Sequence, residues 1–364
     1  MRVASSEDAA RLSEARAHLA AVRAPRAAGP GPDAEALRGA YLDLLKLTLC
    51  DLGGSATTSV GAMADGSVMS RELRGDELRL RAAGMDWPLH GLTMVGLGRL
   101  DDLQACVETV VGDGIEGDVI EAGAWRGGAS ILARATLDTL GDERAVWVAD
   151  SFRGFPERAA PDDGTIDLSA FDFLAVSLEE VREGFARLGC ARGVRFVPGF
   201  FEDSLRALAG ERWAIVRLDA DSYEATREAL RCLYPGLAVG GYLIVDDYGS
   251  FEGCRRAVDE FRGEHGVAEP IEKVDSTCVR WRRERSEPLA TQRGATPGPT
   301  TAERGAPARP LVSEAARRPT HVPTAREVGL AAEVDSLRAR LAAAEAQIGL
   351  RAWLRRRLRR EAAR

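Results

Sequence analysis

The sequence predicts a doubly wound α/β domain built on parallel strands. Three observations predict it. From Asp118 to Trp281, apolar runs of strand length alternate with stretches of helical spacing. A Gly-rich turn, Gly123 to Gly128, follows the first of these runs. Further on, Ile215 to Gly249 reads as a βαβ unit whose two strands both end in acids: Asp219 and Asp221 after the first, Asp246 and Asp247 after the second. Strands joined by a helix pair in parallel with a right-handed crossover. Both acidic turns then reach the carboxyl edge of one sheet, where open α/β sheets bind ligands.

The elements follow in order. Residues 1–32 form an Ala-rich extension, a loose amphipathic helix over 1–23 and then a Pro/Gly break. Residues 33–117 read as a helical cap or lid region. Asp33 is its N-cap, and Leu37, Tyr41, Leu44, Leu45, Leu49 and Leu52 keep helical spacing. Residues 53–70 are rich in Gly, Ser and Thr and read as a mobile loop. A short helix over 71–83, a turn at Pro88 and Gly91, and a helix over 97–111 come next. The core, 118–283, begins with a strand ending at Glu121, a helix over 129–140 and a strand ending at Asp150. Residues 153–173 are rich in Pro, Gly and Asp and read as a lid. Ser177 caps a helix, with Glu180 as its capping-box partner. A strand over Val194–Pro198 precedes the βαβ unit, whose helix spans 224–234 and whose second strand, 242–245, starts after a turn at Gly240 and Gly241. A helix over 251–266 and an antiparallel hairpin over 271–281 complete the core. Residues 284–324 carry little apolar content and read as a disordered linker. The tail, 325–364, spaces Leu330, Val334, Leu337, Leu341, Ala344 and Ile348 as a coiled coil does, and ends in a basic stretch.

Composition narrows the function classes. The 364 residues, 45% of them hydrophobic, can bury a sizeable core. No apolar run approaches the roughly 18 residues of a membrane-spanning helix. The N-terminus has no apolar signal-peptide region and carries acids early, so a cytoplasmic protein is expected. Six scattered cysteines without a C-x-x-C pair read as reduced and structural. The whole chain is −7, but residues 284–364 carry 16 Arg against 9 acids, leaving the body strongly acidic. That balance argues against nucleic acid as the main partner. For the tail three readings stand: an oligomerisation helix, a contact with a membrane surface or an acidic partner protein, or a solvated charged end.

The chemistry lies in the turns. Gly123 lets the chain turn sharply after Glu121, and Gly127 and Gly128 leave room for a ligand at the start of a helix. The stretch lacks the dinucleotide fingerprint and the Lys of a P-loop. An acid before the first glycine would repel phosphate and suits an ammonium or hydroxyl donors, as in S-adenosylmethionine (SAM). Asp150, one strand later, is placed to accept from ribose hydroxyls. The converging acids Asp219, Asp246 and Asp247 suit a hard cation such as Mg²⁺, which would hold an acceptor hydroxyl and lower its pKa. Asp221 is the candidate general base, with a further metal ligand as its alternative role. The order of these signals favours a SAM-dependent methyltransferase acting on a hydroxyl over a dehydrogenase or a kinase.

The chain also resembles the macrocin O-methyltransferase (TylF-like) family. The resemblance runs from about Arg38 to Arg283. It rests on YLDLLKLTL at Tyr41, DWPLHGLTMVGLGRLDDLQ at Asp86, IEAGAWRGGAS at Ile120, VADSFRGFP at Val148, GFFEDSL at Gly199, RLDADSYEAT at Arg217 and GGYLIVDDYG at Gly240. It implies a class I SAM-methyltransferase fold, a Mg²⁺ ion, a homo-oligomer, and a sugar hydroxyl on a glycosylated small molecule or glycan as acceptor. By position it implies Asp219, Asp246 and Asp247 as metal ligands and Asp221 as base. It places Glu121, Gly123, Gly127, Gly128 and Ser130 on the methionine side of SAM, Asp150 and Ser151 at the ribose, Phe200 at the adenine, and Met94 over the cofactor. The chain departs from the family pattern at Leu89-His90, Phe200 and Ser204. A catechol-like phenol as acceptor and a non-catalytic scaffold recruited by the tail are the competing readings; scarce aromatics near the lids weigh against the phenol.

Overall fold

The computed structural model describes residues 6–23, 33–62, 68–156 and 168–285. They lie in one compact unit. The tail and all but the first two residues of the linker expected over 284–364, and most of the proposed lid over 153–173, fall outside the described residues. The chain opens with α1 (Ser6–Arg23) and α2 (Ala34–Leu49). The Asp33 side chain accepts from Ala36 N at 2.8 Å and so caps α2 as expected. A small antiparallel sheet follows, β1 (Ala56–Ala62), β2 (Val68–Arg74) and β3 (Trp87–Pro88) in the order β2-β1-β3, with α3 (Leu78–Ala82) between its last two strands. Then come α4 (Leu97–Gly112), β4 (Asp118–Ala122), α5 (Gly128–Leu140), β5 (Val146–Asp150), α6 (Leu178–Arg187) and β6 (Val194–Pro198). The short α7 (Phe201–Ser204), β7 (Trp213–Leu218), α8 (Tyr223–Leu233), β8 (Leu237–Val245), α9 (Glu252–His265), β9 (Glu272–Lys273) and β10 (Val279–Arg282) complete the fold. Ser177 and Glu180 form the expected capping box at the start of α6.

The main sheet has the order β6-β5-β4-β7-β8-β10-β9. Strands β6, β5, β4, β7 and β8 are parallel, and β10 and β9 add an antiparallel edge. Side chains alternate across it with period two. Val119, Val146, Val148, Ile215 and Ile244 belong to the core under α4 and α5. Ile120, Trp147, Val216, Leu218, Leu243 and Val245 belong to the core under α8 and α9. Burial on both faces explains why these strands read as near-continuous apolar runs.

The structure differs from the sequence expectation in three places. Residues 56–62 and 68–74 are the paired strands β1 and β2, where a loop and the start of a helix were expected. A distant side chain pins this sheet. Arg81, fully buried, donates to Thr57 Oγ1 at 2.8 Å, to Thr58 O at 2.9 Å, and through Nε and Nη2 to the Asp86 carboxylate. Gly240 and Gly241 do not turn the chain; they form an irregularity inside β8, whose register against β7 shifts there. The N-terminal helix α1 is docked, with Ala15 and Leu19 buried in the core.

One close approach fixes the geometry of the sheet edge. Gly123 has φ +90°, and a Cβ there would lie 1.8 Å from the carbonyl oxygen of Asp219. The turns after β4 and β7 can touch only because this residue is glycine. Gly123→Ala should therefore cost about 3 kcal/mol or more. Gly141→Ala, at φ +71° but with open space around it, should cost about 1 kcal/mol. Urea unfolding of both variants checks this, and equal losses would show that the contact between the turns is unimportant.

Candidate active site

Strand alternation puts Glu121 on β4, Arg217 on β7 and Asp246 after β8 on the same face, because each sits two residues past a residue of the core under α4 and α5. Glu121 and Arg217 are direct partners in the ladder. Arg217 Nη1 donates to Glu121 Oε1 at 2.5 Å and to Asp219 Oδ2 at 3.0 Å, and Nη2 donates to Asp246 Oδ1 at 2.5 Å. The other oxygen of Asp246 accepts from Arg99 on α4. The other oxygen of Glu121 accepts from the backbone and the hydroxyl of Ser130. Burial pushes the Glu121 carboxyl up to about 7, against the pull of Arg217 and Ser130. The surrounding acids hold the Arg217 guanidinium firmly charged despite its complete burial.

Just beyond the strand ends, Asp219, Asp221 and Asp247 each offer a carboxylate oxygen within 4.8 Å of the others. Asp221 adopts the left-handed backbone, φ +56°, unusual for a residue other than glycine. Burial raises the pKa of all three, and repulsion from neighbouring acids adds to it. Asp247 Oδ2 is buried with no hydrogen-bond partner among the described residues. Five carboxylates (Glu121, Asp219, Asp221, Asp246, Asp247) thus face two guanidiniums, Arg217 and Arg99. An excess of anions with an orphaned oxygen is what a hard cation would relieve, and the donors are all oxygen, as Mg²⁺ requires. Both oxygens of Asp246, expected as a ligand, accept from arginines, and Asp221 stands in the group with Asp219 and Asp247.

These groups line a cavity of about 1220 Å³ at the carboxyl edge of the sheet. Of the residues expected at the cofactor, Met94, Glu121, Gly123, Asp150, Ser151 and Phe200 line it. Asp150 Oδ2 accepts from Ala124 N at 2.8 Å and Trp125 N at 3.2 Å, so it also staples the Gly-rich turn. Gly127, Gly128 and Ser130, also expected at the cofactor, are not in the cavity wall. A Cβ at Gly127 would strike Phe185 and Val181 on α6, and one at Gly128 would lie 2.5 Å from Leu92 O. Their small size serves packing, and Ser130 acts on Glu121.

Sequence reasoning missed several wall residues. Arg217 could have been found: an arginine in an otherwise apolar central strand needs a buried partner. Arg99 gave no such signal, since a single arginine on a helix is ordinarily solvated. The aromatic content was also underestimated. Trp87 packs against Phe171 and Phe173 with ring centroids 5.6 and 5.2 Å apart, and Trp125 Nε1 donates to Phe173 O at 3.1 Å. Trp87, Trp125 and Phe155 line the cavity. Among the described residues the wall holds no His, Cys, Lys or Tyr, so the proton acceptors it offers are carboxylates.

Comparison with known proteins agrees with this geometry. Residues 40–283 match the family described as Macrocin-O-methyltransferase (TylF). The 8-demethyl-8-(2,3-dimethoxy-alpha-L-rhamnosyl)-tetracenomycin-C 4'-O-methyltransferase of Streptomyces olivaceus is 44% identical over 68% of this chain and 94% of its own length. The mycinamicin III 3''-O-methyltransferase of Micromonospora griseorubida is 41% identical over 67% of this chain and 96% of its own length. The solved structure of the O-methyltransferase NovP is 38% identical, superposes with a TM-score of 0.58, and is covered over 100% of its length by 68% of this chain. Sheet order, a Gly-rich first turn with Glu121 behind it, and a family match over more than half of the chain lead to one conclusion: this chain belongs to the macrocin O-methyltransferase (TylF) family and is a SAM-dependent O-methyltransferase of the class I fold.

Proposed function

We propose that this enzyme methylates a sugar hydroxyl of a glycosylated natural product, with Mg²⁺ as its second cofactor. The observation that carries the proposal is the meeting, in one cavity, of the Glu121–Asp150 wall with the three-carboxylate group of Asp219, Asp221 and Asp247. The relative from Streptomyces olivaceus is named for a rhamnosyl compound, which supports a sugar acceptor. SAM supplies the electrophilic methyl group. Mg²⁺, when bound by Asp219 and Asp247, would supply a Lewis acid that lowers the pKa of a nearby hydroxyl.

The chain's own residues do the rest. Glu121, held by Ser130 and Arg217, offers a carboxyl whose charged form an ammonium would favour, and Asp150 offers an acceptor beside the Gly-rich turn. Asp221 is the proposed general base: it is a near neighbour of Asp219 and Asp247, and burial raises its proton affinity. The aromatic wall of Trp87, Trp125 and Phe155 suits the apolar face of a sugar or a flat aglycone. It also revives the phenol acceptor as a second reading, since the scarcity of aromatics that weighed against it is absent from the fold. An apolar stripe left exposed on α2 by Leu37, Tyr41 and Leu44 supports self-association as part of the same proposal.

Two predictions follow from these roles. Asp221→Asn should leave the SAM dissociation constant unchanged within about twofold and lower kcat by about a hundredfold or more. Calorimetry and steady-state rates on a rhamnosylated aromatic polyketide measure both, and a variant of wild-type rate would remove Asp221 as base. The second concerns pH. Asp219, Asp221 and Asp247 keep their protons in the fold at pH values where the unfolded chain has released them. Their stabilising contribution is present below the ordinary carboxylate range and is lost as pH rises through their raised native values. Mg²⁺ offsets that loss, so the rise in Tm that it produces should grow between about pH 5 and about pH 8. Asp247→Asn should abolish that growth. A Tm indifferent to Mg²⁺ throughout that range would contradict the site.

A further inference from the structure

Residues 40–283 carry the family match, yet the cavity wall includes Arg11, which lies on α1, outside that range. The helix is anchored at several points. Ala15 and Leu19 are buried in the core, and His18 Nε2 lies 2.7 Å from Asp101 Oδ2 on α4. These contacts set Arg11 against the turn before β10. Its Nη2 lies 3.0 Å from Asp275 Oδ2, and its Nη1 donates to Ser276 Oγ at 3.3 Å. Asp275 in turn accepts from Arg99 Nε at 2.8 Å and caps its own turn, taking Thr277 N and Cys278 N at 2.8 Å each. Arg99 reaches Asp246 with its remaining arm, and Asp246 reaches Arg217. An unbroken series of charge-assisted contacts therefore runs from α1 to the floor of the cavity: Arg11, Asp275, Arg99, Asp246, Arg217, Asp219.

We propose that α1 is a working part of this enzyme's active site and that Arg11 is a positioning residue, holding Asp275 and Arg99 so that Asp246 and Arg217 fix the carboxylate of Asp219. The geometry gives Arg11 this task. Arg99 must satisfy Asp246 and Asp275 at once, and both of its bonds to Asp275 depend on where that carboxylate stands. Arg11 is the second cation on the same oxygen, Oδ2, that Arg99 Nε uses. Burial would raise the Asp275 carboxyl, but Arg99 and Arg11 hold it down at about 2, so it remains a fixed anion at any working pH. Without Arg11, Arg99 is drawn towards Asp275, and its hold on Asp246 weakens. Charged groups held by their neighbours in this way couple over distance more strongly than isolated surface pairs.

The test uses the full chain, with Arg11→Ala, Arg11→Lys, Asp275→Asn, the double variant, and Arg16→Ala as control. Arg16 is on the same helix, but its pair with Asp76 is exposed and lies outside the cavity wall. With a rhamnosylated aromatic polyketide as acceptor, Arg11→Ala should lower kcat about tenfold, and Arg11→Lys should recover most of it. The SAM dissociation constant by calorimetry should stay within about twofold of wild type, which shows that the cofactor half of the fold is intact. The double variant should be no slower than the slower single variant, because both changes cut the same series. Arg16→Ala should keep the wild-type rate. Wild-type kcat in Arg11→Ala, an equal loss in Arg16→Ala, or additive losses in the double variant would overturn the proposal.

Discussion

The structure depends on one buried positive charge. Arg217 sits near the carboxyl end of a central strand, almost wholly buried, and its guanidinium is shared among Glu121, Asp219 and Asp246 on three separate chain segments. Removing one partner of such a buried ion pair typically costs about 3–5 kcal/mol, because the charge left behind cannot be hydrated. That penalty ties the end of β4, the turn after β7 and the end of β8 to one geometry. Gly123 allows it sterically, since the turns after β4 and β7 meet at a distance that no side chain would permit. The cofactor side of the cavity, through Glu121, and the acid side, through Asp219, are thus positioned by the same residue.

The same interaction explains why the remaining acids are left in tension. Arg217 and Arg99 saturate Glu121 and Asp246 and reach one oxygen of Asp219, while Asp221 and Asp247 stand beside them with raised proton affinity. A fold that gathers carboxylates beyond its supply of cations must accept protons or an ion there. Catalysis of methyl transfer benefits either way. A carboxylate with a raised pKa is a better proton acceptor, and an ion would hold an oxygen nucleophile in place.

Much of this was legible in the sequence. The alternation of apolar runs predicted the parallel sheet, and the two acidic turns of the βαβ unit predicted where carboxylates would meet, because strand ends are set by local pattern and a fixed crossover hand. The capping box at Ser177 and the N-cap at Asp33 were equally local. What stayed hidden depends on partners far away in sequence. The β1–β2 pair looked like a loop because its residues have no strong alternation, and Arg81 organises it from the following helix. Sequence likewise cannot show α6 and Leu92 packed against Gly127 and Gly128. Asp246 looked like its neighbour Asp247, yet its two oxygens accept from Arg217 and from Arg99, some 147 residues earlier.

The most direct test of the account is where the methyl group goes, and on what it depends. Tandem mass spectrometry of the product formed from SAM and a rhamnosylated aromatic polyketide locates the added methyl on sugar or aglycone fragments. The account predicts a methyl on the sugar fragment, lost when EDTA is present and restored by excess Mg²⁺. A methyl on the aglycone, or undiminished turnover in EDTA, would contradict it.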